Sequence, residues 1–212
     1  MAKLRNVQSR PKVQSKRKHE RTQGRKPMQL LLRITMAGIT PPIWRLVRVP
    51  DRFTLHQLHR VLQVVFSRLD YHLYAFEIGT RRFEAPDEES EAEDATEITL
   101  NNLALLPGSQ LTYIYDFGDG WEHHISVEDL LPMPSENGPD WSPRLVDGDR
   151  AAPPEDAGGA PGYMEVVTAL TNPRHPRHSE IRDWAGAKYD PNKFDTWALD
   201  HALALTVAWD AI

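Results

Sequence analysis

Between two β-rich runs, at residues 110–117 and 121–129, the chain carries the pair Asp119-Gly120. Aspartate followed by glycine is what a two-residue type I′ turn selects, because both turn positions need φ > 0. A hairpin centred there fixes the pairing of both strands, and with it the face on which each side chain lies. With 119 and 120 as the turn, Gly118 faces Trp121, Phe117 faces Glu122, Asp116 faces His123 and Ile114 faces Ile125. Alternation then places Thr112, Ile114, Asp116, His123, Ile125 and Val127 on one face, apolar except for Asp116 and His123. Tyr113, Tyr115, Phe117, Glu122, His124 and Ser126 fall on the other.

A carboxylate opposed to an imidazole has two readings. As a structural cross-strand pair it contributes roughly 0.2–1 kcal/mol. As chemistry it is a general-base pair or half of a divalent-metal site, with Asp119, Glu155 or Asp156 supplying further oxygen ligands. The adjacent His123-His124 is no chelate, since neighbours on a strand point to opposite faces. His56 and His59, with His72 nearby in sequence, form a second candidate ligand set; the competing reading is histidines at the border of an apolar helix stripe.

Around this hairpin the pattern predicts an α+β domain. Residues 29–36 and 43–49 are β-rich, separated by Gly and Pro at 37–42, and read as an N-terminal hairpin. Thr54 with Gln57 has capping-box spacing, and Leu55, Leu58, Leu62 and Val65 recur at helical period. Strands follow at 72–78 and 81–83. Residues 84–97 hold eight acids and no base and read as a solvated loop, and 100–106 as a short helical turn. In the second strand Trp44 is expected in the core and Arg45 as a partner for the acidic surplus. Residues 130–161, rich in Pro, Gly and Asp, read as an irregular crossing. Helices are predicted at 162–171, 179–185 and 196–209, with Asp195 capping the last and Asp190-Pro191 placed as an N-cap followed by proline. Strands first and helices last define the class.

Charge divides the chain. Residues 1–28 contain ten Lys/Arg against one acid, a net +9; the remainder holds 15 bases against 29 acids, a net −14. Residues 1–28 therefore read as a disordered basic tail and 29–212 as one domain. Lys16, Arg17, Lys18, Arg21, Arg25 and Lys26 are the candidate nucleic-acid contacts through phosphate neutralisation. No aromatic residue is interleaved for base stacking, and no zinc-finger or helix–turn–helix pattern accompanies them. The absence of cysteine excludes disulfides, thiolate metal sites and cysteine nucleophiles. No apolar span of membrane length and no signal peptide is present, so a cytoplasmic, membrane-free protein is expected.

An ordered set of motifs carries a resemblance. Pro41-Pro-Ile-Trp-Arg45, Thr54-Leu-His-Gln-Leu-His59, His72-Leu-Tyr-Ala-Phe76, Tyr115-Asp-Phe-Gly-Asp-Gly-Trp-Glu-His123, Pro153-Pro-Glu-Asp-Ala-Gly-Gly159, Gly162-Tyr163 and Phe194-Asp195 occur in that order. Together they resemble the plasmid pRiA4b ORF-3-like family, and Ser67-Arg-Leu-Asp70 is similar to insertion-element passenger proteins labelled as resolvases. The resemblance implies the fold and an association with mobile elements, and brings no established activity. The chain carries Ala157 where many members have Cys, and Arg68 where they have Trp. A serine recombinase needs an early nucleophilic serine, and Ser9 and Ser15 lie in the basic tail, so recombinase activity is excluded.

Asp119, Trp121, Glu155, Asp156 and Tyr163, all inside these motifs, are the candidate binding positions, with Asp116 and His123 the candidate catalytic pair. No cofactor is identified; a divalent metal on Asp116, His123, Glu155 and Asp156 is the one group the residues suggest. Three expectations follow: an accessory module binding nucleic acid or protein without catalysis, a metal-assisted hydrolase, or a protein-interaction domain using a strand edge.

Overall fold

The computed structural model describes residues 26–87, 90–133 and 142–207. β1 (Met28–Met36) and β2 (Trp44–Pro50) form the expected N-terminal hairpin. Thr54 then caps α1 (Leu55–Val65): its hydroxyl accepts from Gln57 N at 3.1 Å, and the Gln57 side chain accepts from Thr54 N at 2.9 Å. Two orphan donors of the first turn are thereby satisfied reciprocally. β3 (Tyr74–Ile78) and β4 (Arg81–Glu84) follow, then the two-residue β5 (Glu93–Asp94) and a 3-10 turn, Leu100–Leu103. β6 (Gln110–Tyr115), β7 (Trp121–Pro132) and β8 (Arg144–Asp149) complete one eight-stranded sheet ordered β5-β4-β3-β6-β7-β1-β2-β8. Every neighbouring pair is antiparallel except β4–β5. Three helices close the chain: α2 (Gly159–Thr171), α3 (His178–Ala185) and α4 (Thr196–Val207). The α+β class is as expected.

One face of the sheet is apolar and buried. Leu30, Leu32, Ile34 and Met36 of β1 alternate inward with Val47 and Val49 of β2 and Leu111, Tyr113 and Tyr115 of β6. Leu55, Leu58, Val61, Leu62 and Val65 of α1 belong to the same core. Each large side chain buried there stabilises the fold by roughly 1.5–3 kcal/mol.

Several expectations are corrected. Ile43, Val47 and Val49 set the inward phase of the second strand, which carries Arg45 in and Trp44 out. Arg45 is 1% exposed, yet it donates to the carbonyls of Trp44, Val65, Asp149 and Arg150 and lies over the rings of Phe66 and Phe194. Burial pushes its pKa down to about 10, so it remains a cation. Trp44 lies instead beneath the Arg33 guanidinium, 4.2 Å from its ring centre. The acidic segment 84–97 is not all solvated loop: Glu93 pairs with Arg81, Glu84 with Arg82, and β5 docks on β4. The crossing at 130–161 contains β8 and part of β7. Asp195 caps α4 through Ala198 N at 3.0 Å, whereas Asp190 closes a turn onto Asn192 N. Lys16, Arg17, Lys18, Arg21 and Arg25 lie outside the described residues, and Lys26 is exposed.

Candidate metal centre

The β6–β7 connection decides the site. Its register pairs Tyr115 with Trp121, Ile114 with Glu122 and Tyr113 with His123, so Asp116 and His123 are not opposed. The turn is five residues, 116–120, rather than two. Asp116 takes the left-handed conformation (φ 58°), which a short polar side chain tolerates. Its Oδ1 accepts from Gly118 N at 3.0 Å and Asp119 N at 3.3 Å, and its carbonyl accepts from Gly120 N. The side chain thus closes the turn that Asp119-Gly120 alone was expected to close. The inner face consequently carries Tyr113 and Tyr115, the reverse of the expected grouping on that strand.

His123 is buried in the core, its ring edge-on to Phe66 with centroids 4.8 Å apart. Nδ1 lies 3.1 Å from Trp121 O, so it carries the proton and leaves Nε2 as an acceptor. Burial, then the nearby Arg68 charge, lowers its pKa to about 3. It is neutral and remote from solvent, and it belongs to the fold.

A different histidine meets Asp116. Residues 67–73, between α1 and β3, approach the 116–120 turn through Asp116 N donating to Leu73 O at 2.8 Å. The loop after β8 closes the third side: Asp119 Oδ2 accepts from Gly158 N at 3.0 Å. A Cβ on Gly159, whose φ is +66°, would stand 2.5 Å from Asp119 O, so only glycine permits that approach. His72 Nε2 then lies 3.5 Å from Asp116 Oδ2 and 3.5 Å from Asp156 Oδ1. One ligand-type atom from each of the three lies within 4.8 Å of the others. His72 Nε2 is buried and makes no hydrogen bond. Five of the six non-glycine residues with positive φ among the described residues, Ser67, Asp70, Asp116, Arg150 and Asp156, belong to these three loops.

The remaining candidates are engaged within the fold. Glu155 Oε2 accepts from Arg68 Nη1 at 3.0 Å, and Oε1 accepts from Leu69 N at 2.9 Å and Tyr115 Oη at 3.2 Å. Its oxygens are thus committed within the fold. Burial, then Glu155, pushes Tyr115 up to about 12. Arg68 lies over Trp121, 4.8 Å from its ring centre; its flat cation stacks where the family resemblance leads one to expect an indole. Trp121 and Tyr163 are buried, and the Tyr163 hydroxyl shares a 3.2 Å hydrogen bond with that of Tyr189. Asp156 is the exposed member, and Tyr71 Oη donates to its Oδ2 at 3.2 Å. His56 and His59 bond instead to Tyr74 and Tyr113. The structure therefore brings together Asp116 and Asp156 from the expected metal set, leaves out His123 and Glu155, and adds His72.

Two ligand atoms about 2.1 Å from a tetrahedral divalent ion lie about 3.4 Å apart. The 3.5 Å separations from His72 Nε2 fit that spacing and exceed a hydrogen bond. One imidazole and two carboxylates are a donor set for zinc, manganese or ferrous iron, with coordination positions left for water or substrate.

A one-faced α+β sheet bearing a histidine–dicarboxylate cluster among three loops is the class of protein defined here. The chain belongs to the plasmid pRiA4b ORF-3-like family, whose model matches residues 29–198. It is 38% identical over 163 residues to uncharacterized protein y4hQ of Sinorhizobium fredii (strain NBRC 101917 / NGR234), an alignment covering 75% of this chain and 82% of that protein. A crystal structure of MM3350, a protein of unknown function from Methanosarcina mazei Go1, matches with a TM-score of 0.72 and 31% identity, covering 81% of this chain and 96% of that one. Among the described residues, no helix is long and apolar enough to cross a membrane.

Proposed function

We propose that His72, Asp116 and Asp156 bind a divalent transition metal and that the protein is a metal-assisted hydrolase. The observation that carries this reading is the buried Nε2 of His72, without a hydrogen-bond partner and facing two carboxylate oxygens at ligand spacing. An unpaired buried nitrogen costs roughly 1–3 kcal/mol, which a metal bond would offset. A bound ion would supply Lewis acidity and an acidified water at the open position. The chain's own residues orient the site. The amides of Gly118 and Asp119 hold one Asp116 oxygen so that the other faces His72. Tyr71 fixes the rotamer of Asp156, and the Arg68–Glu155 pair anchors the loop that bears it.

Metal analysis of the purified full-length protein tests the proposal. About one equivalent of zinc, manganese or iron is expected, with an unfolding midpoint that rises on adding the ion. Both effects should disappear in His72→Ala and Asp116→Asn. No metal in the protein and no thermal response to any divalent ion would sink the reading.

The basic arm supports a second activity, non-catalytic contact with nucleic acid through Lys16, Arg17, Lys18, Arg21, Arg25 and Lys26. Replacing these six by Gln in the full chain should abolish a salt-sensitive DNA or RNA shift. A shift that survives the replacement would place binding elsewhere.

A further inference from the structure

Asp156 also lines a groove between α2 and α3, about 410 Å³ in volume, whose other walls include Val166, Ile181, Glu165, Glu180 and Trp184. That volume falls in the range of ligand sites, roughly 300–1,000 Å³. We propose that this groove is the substrate cleft of the metal centre and takes a peptide segment pairing a bulky apolar side chain with a lysine or arginine. The assignment as substrate rests on the metal reading; the binding itself does not.

Shape and charge both select this occupant. Val166 and Ile181 are buried and give the groove an apolar floor, while the indole of Trp184 is 46% exposed at its edge. An aromatic face beside aliphatic side chains suits a large apolar group, and its quadrupole favours a nearby cation. Three carboxylates, Asp156, Glu165 and Glu180, line the groove against one cation, Arg177. That guanidinium is already engaged: Nη1 donates to Glu165 at 2.6 Å, and Nε and Nη2 donate to Glu180 at 3.0 and 2.8 Å. The groove therefore keeps a negative field that repels polyphosphate and attracts basic groups.

The loop that carries His72 exposes apolar side chains as well. Leu69, Tyr71 and Leu73 alternate along the loop that carries His72 and are 69%, 53% and 66% exposed; Phe117 of the adjoining turn is also exposed. Large apolar side chains exposed beside a candidate site are a feature of interaction surfaces. Tyr71 joins this loop to the groove through its hydrogen bond to Asp156. A peptide held in the groove beside Asp156 would therefore lie next to the exposed apolar side chains of the His72 loop. Its hydrolysis would add one water across an amide, hydroxyl to the carbonyl carbon and proton to the departing amine, and needs no further co-reactant.

The test titrates full-length protein with acetyl-Phe-Arg-amide and acetyl-Phe-Glu-amide, without added metal, following the indole resonance of Trp184 by NMR. The basic peptide should bind at least tenfold more tightly than the acidic one. Trp184→Ala and Glu180→Lys should each weaken it at least fivefold; both side chains are on the surface, and unchanged unfolding midpoints verify that the fold persists. Equal binding of the two peptides, no binding of either at millimolar concentration, or indifference to both substitutions overturns the proposal. Peptide discrimination in a protein that takes up no divalent ion would remove the metal reading alone. Metal uptake without discrimination would remove the groove alone.

Discussion

One histidine lies in α1 and another in the α1–β3 connection, each facing aspartate, and their surroundings differ in kind. His59 donates from Nε2 to Asp70 at 2.7 Å and accepts at Nδ1 from the Tyr113 hydroxyl at 2.8 Å. Tyr113 Oη accepts from Gln63 Nε2, and Gln63 Oε1 accepts from Asp70 N, each at 3.0 Å. The hydrogen bonds close on themselves, and the ring stacks on Tyr74 with centroids 3.7 Å apart. His72 faces two carboxylates at 3.5 Å with Nε2 unpaired. A closed polar network specifies a fold, whereas an open one at a surface mouth is poised to receive a ligand.

The comparison is broken most forcefully at Glu155, a carboxylate beside the open cluster that behaves as part of the closed one. Glu155→Ala leaves the buried Arg68 cation uncompensated and should cost about 3–5 kcal/mol by urea denaturation. A loss below about 1 kcal/mol would return Glu155 to the ligand candidates.

Acid should separate the two sets next. The folded-state pKa of His59 is lowered to about 4, by burial despite Asp70, and that of His123 to about 3, while both titrate near 6.5 when unfolded. Below 6.5 the unfolded chain binds protons that the folded chain does not, so stability is full above that pH. It falls by about 1.4 kcal/mol per pH unit for each histidine as pH drops toward 4. A loss on the order of 3 kcal/mol between pH 7 and 5 is expected, and His123→Phe should shallow the slope. Stability that stays level across this window would contradict neutral, buried rings.

Metal then sharpens the contrast. At a hundredfold excess over its dissociation constant, an ion stabilises the protein by about 2.7 kcal/mol. His72→Ala should remove that gain without lowering metal-free stability, since its Nε2 makes no hydrogen bond and is an unpaired buried group in the metal-free fold. His59→Ala should do the opposite, orphaning Tyr113 and Asp70 at a cost of about 1–3 kcal/mol while leaving the metal response intact.

What was legible in the sequence was local. The Thr54–Gln57 capping box, the hairpin around residues 37–42 and the Asp195 cap depend on neighbours a few residues apart and are as expected. The Asp119-Gly120 signal also marked a real turn. Its register failed because Asp116 spends a side-chain oxygen on two turn amides, and because Tyr113 and Tyr115 read as outward-facing. Their hydroxyls are satisfied from α1 and from Glu155, partners that no local window displays. That one shift promoted His123 and hid His72. Asp116 and Asp156 were visible through their motifs, but the atom that makes them a site comes from a third loop.

The smallest effect is expected at the β4–β5 edge of the sheet. Arg81 donates to Glu93 through two 2.7 Å bonds, yet both side chains are nearly half exposed. Solvent and salt screen such a pair, so Arg81→Ala should cost only about 0.2–1 kcal/mol, less in high salt. Chemical denaturation at low and high ionic strength checks this. A loss above about 2 kcal/mol would mean that the pairing of β5 on β4 depends on the bridge and that the acidic segment is a structural edge rather than a decorated loop.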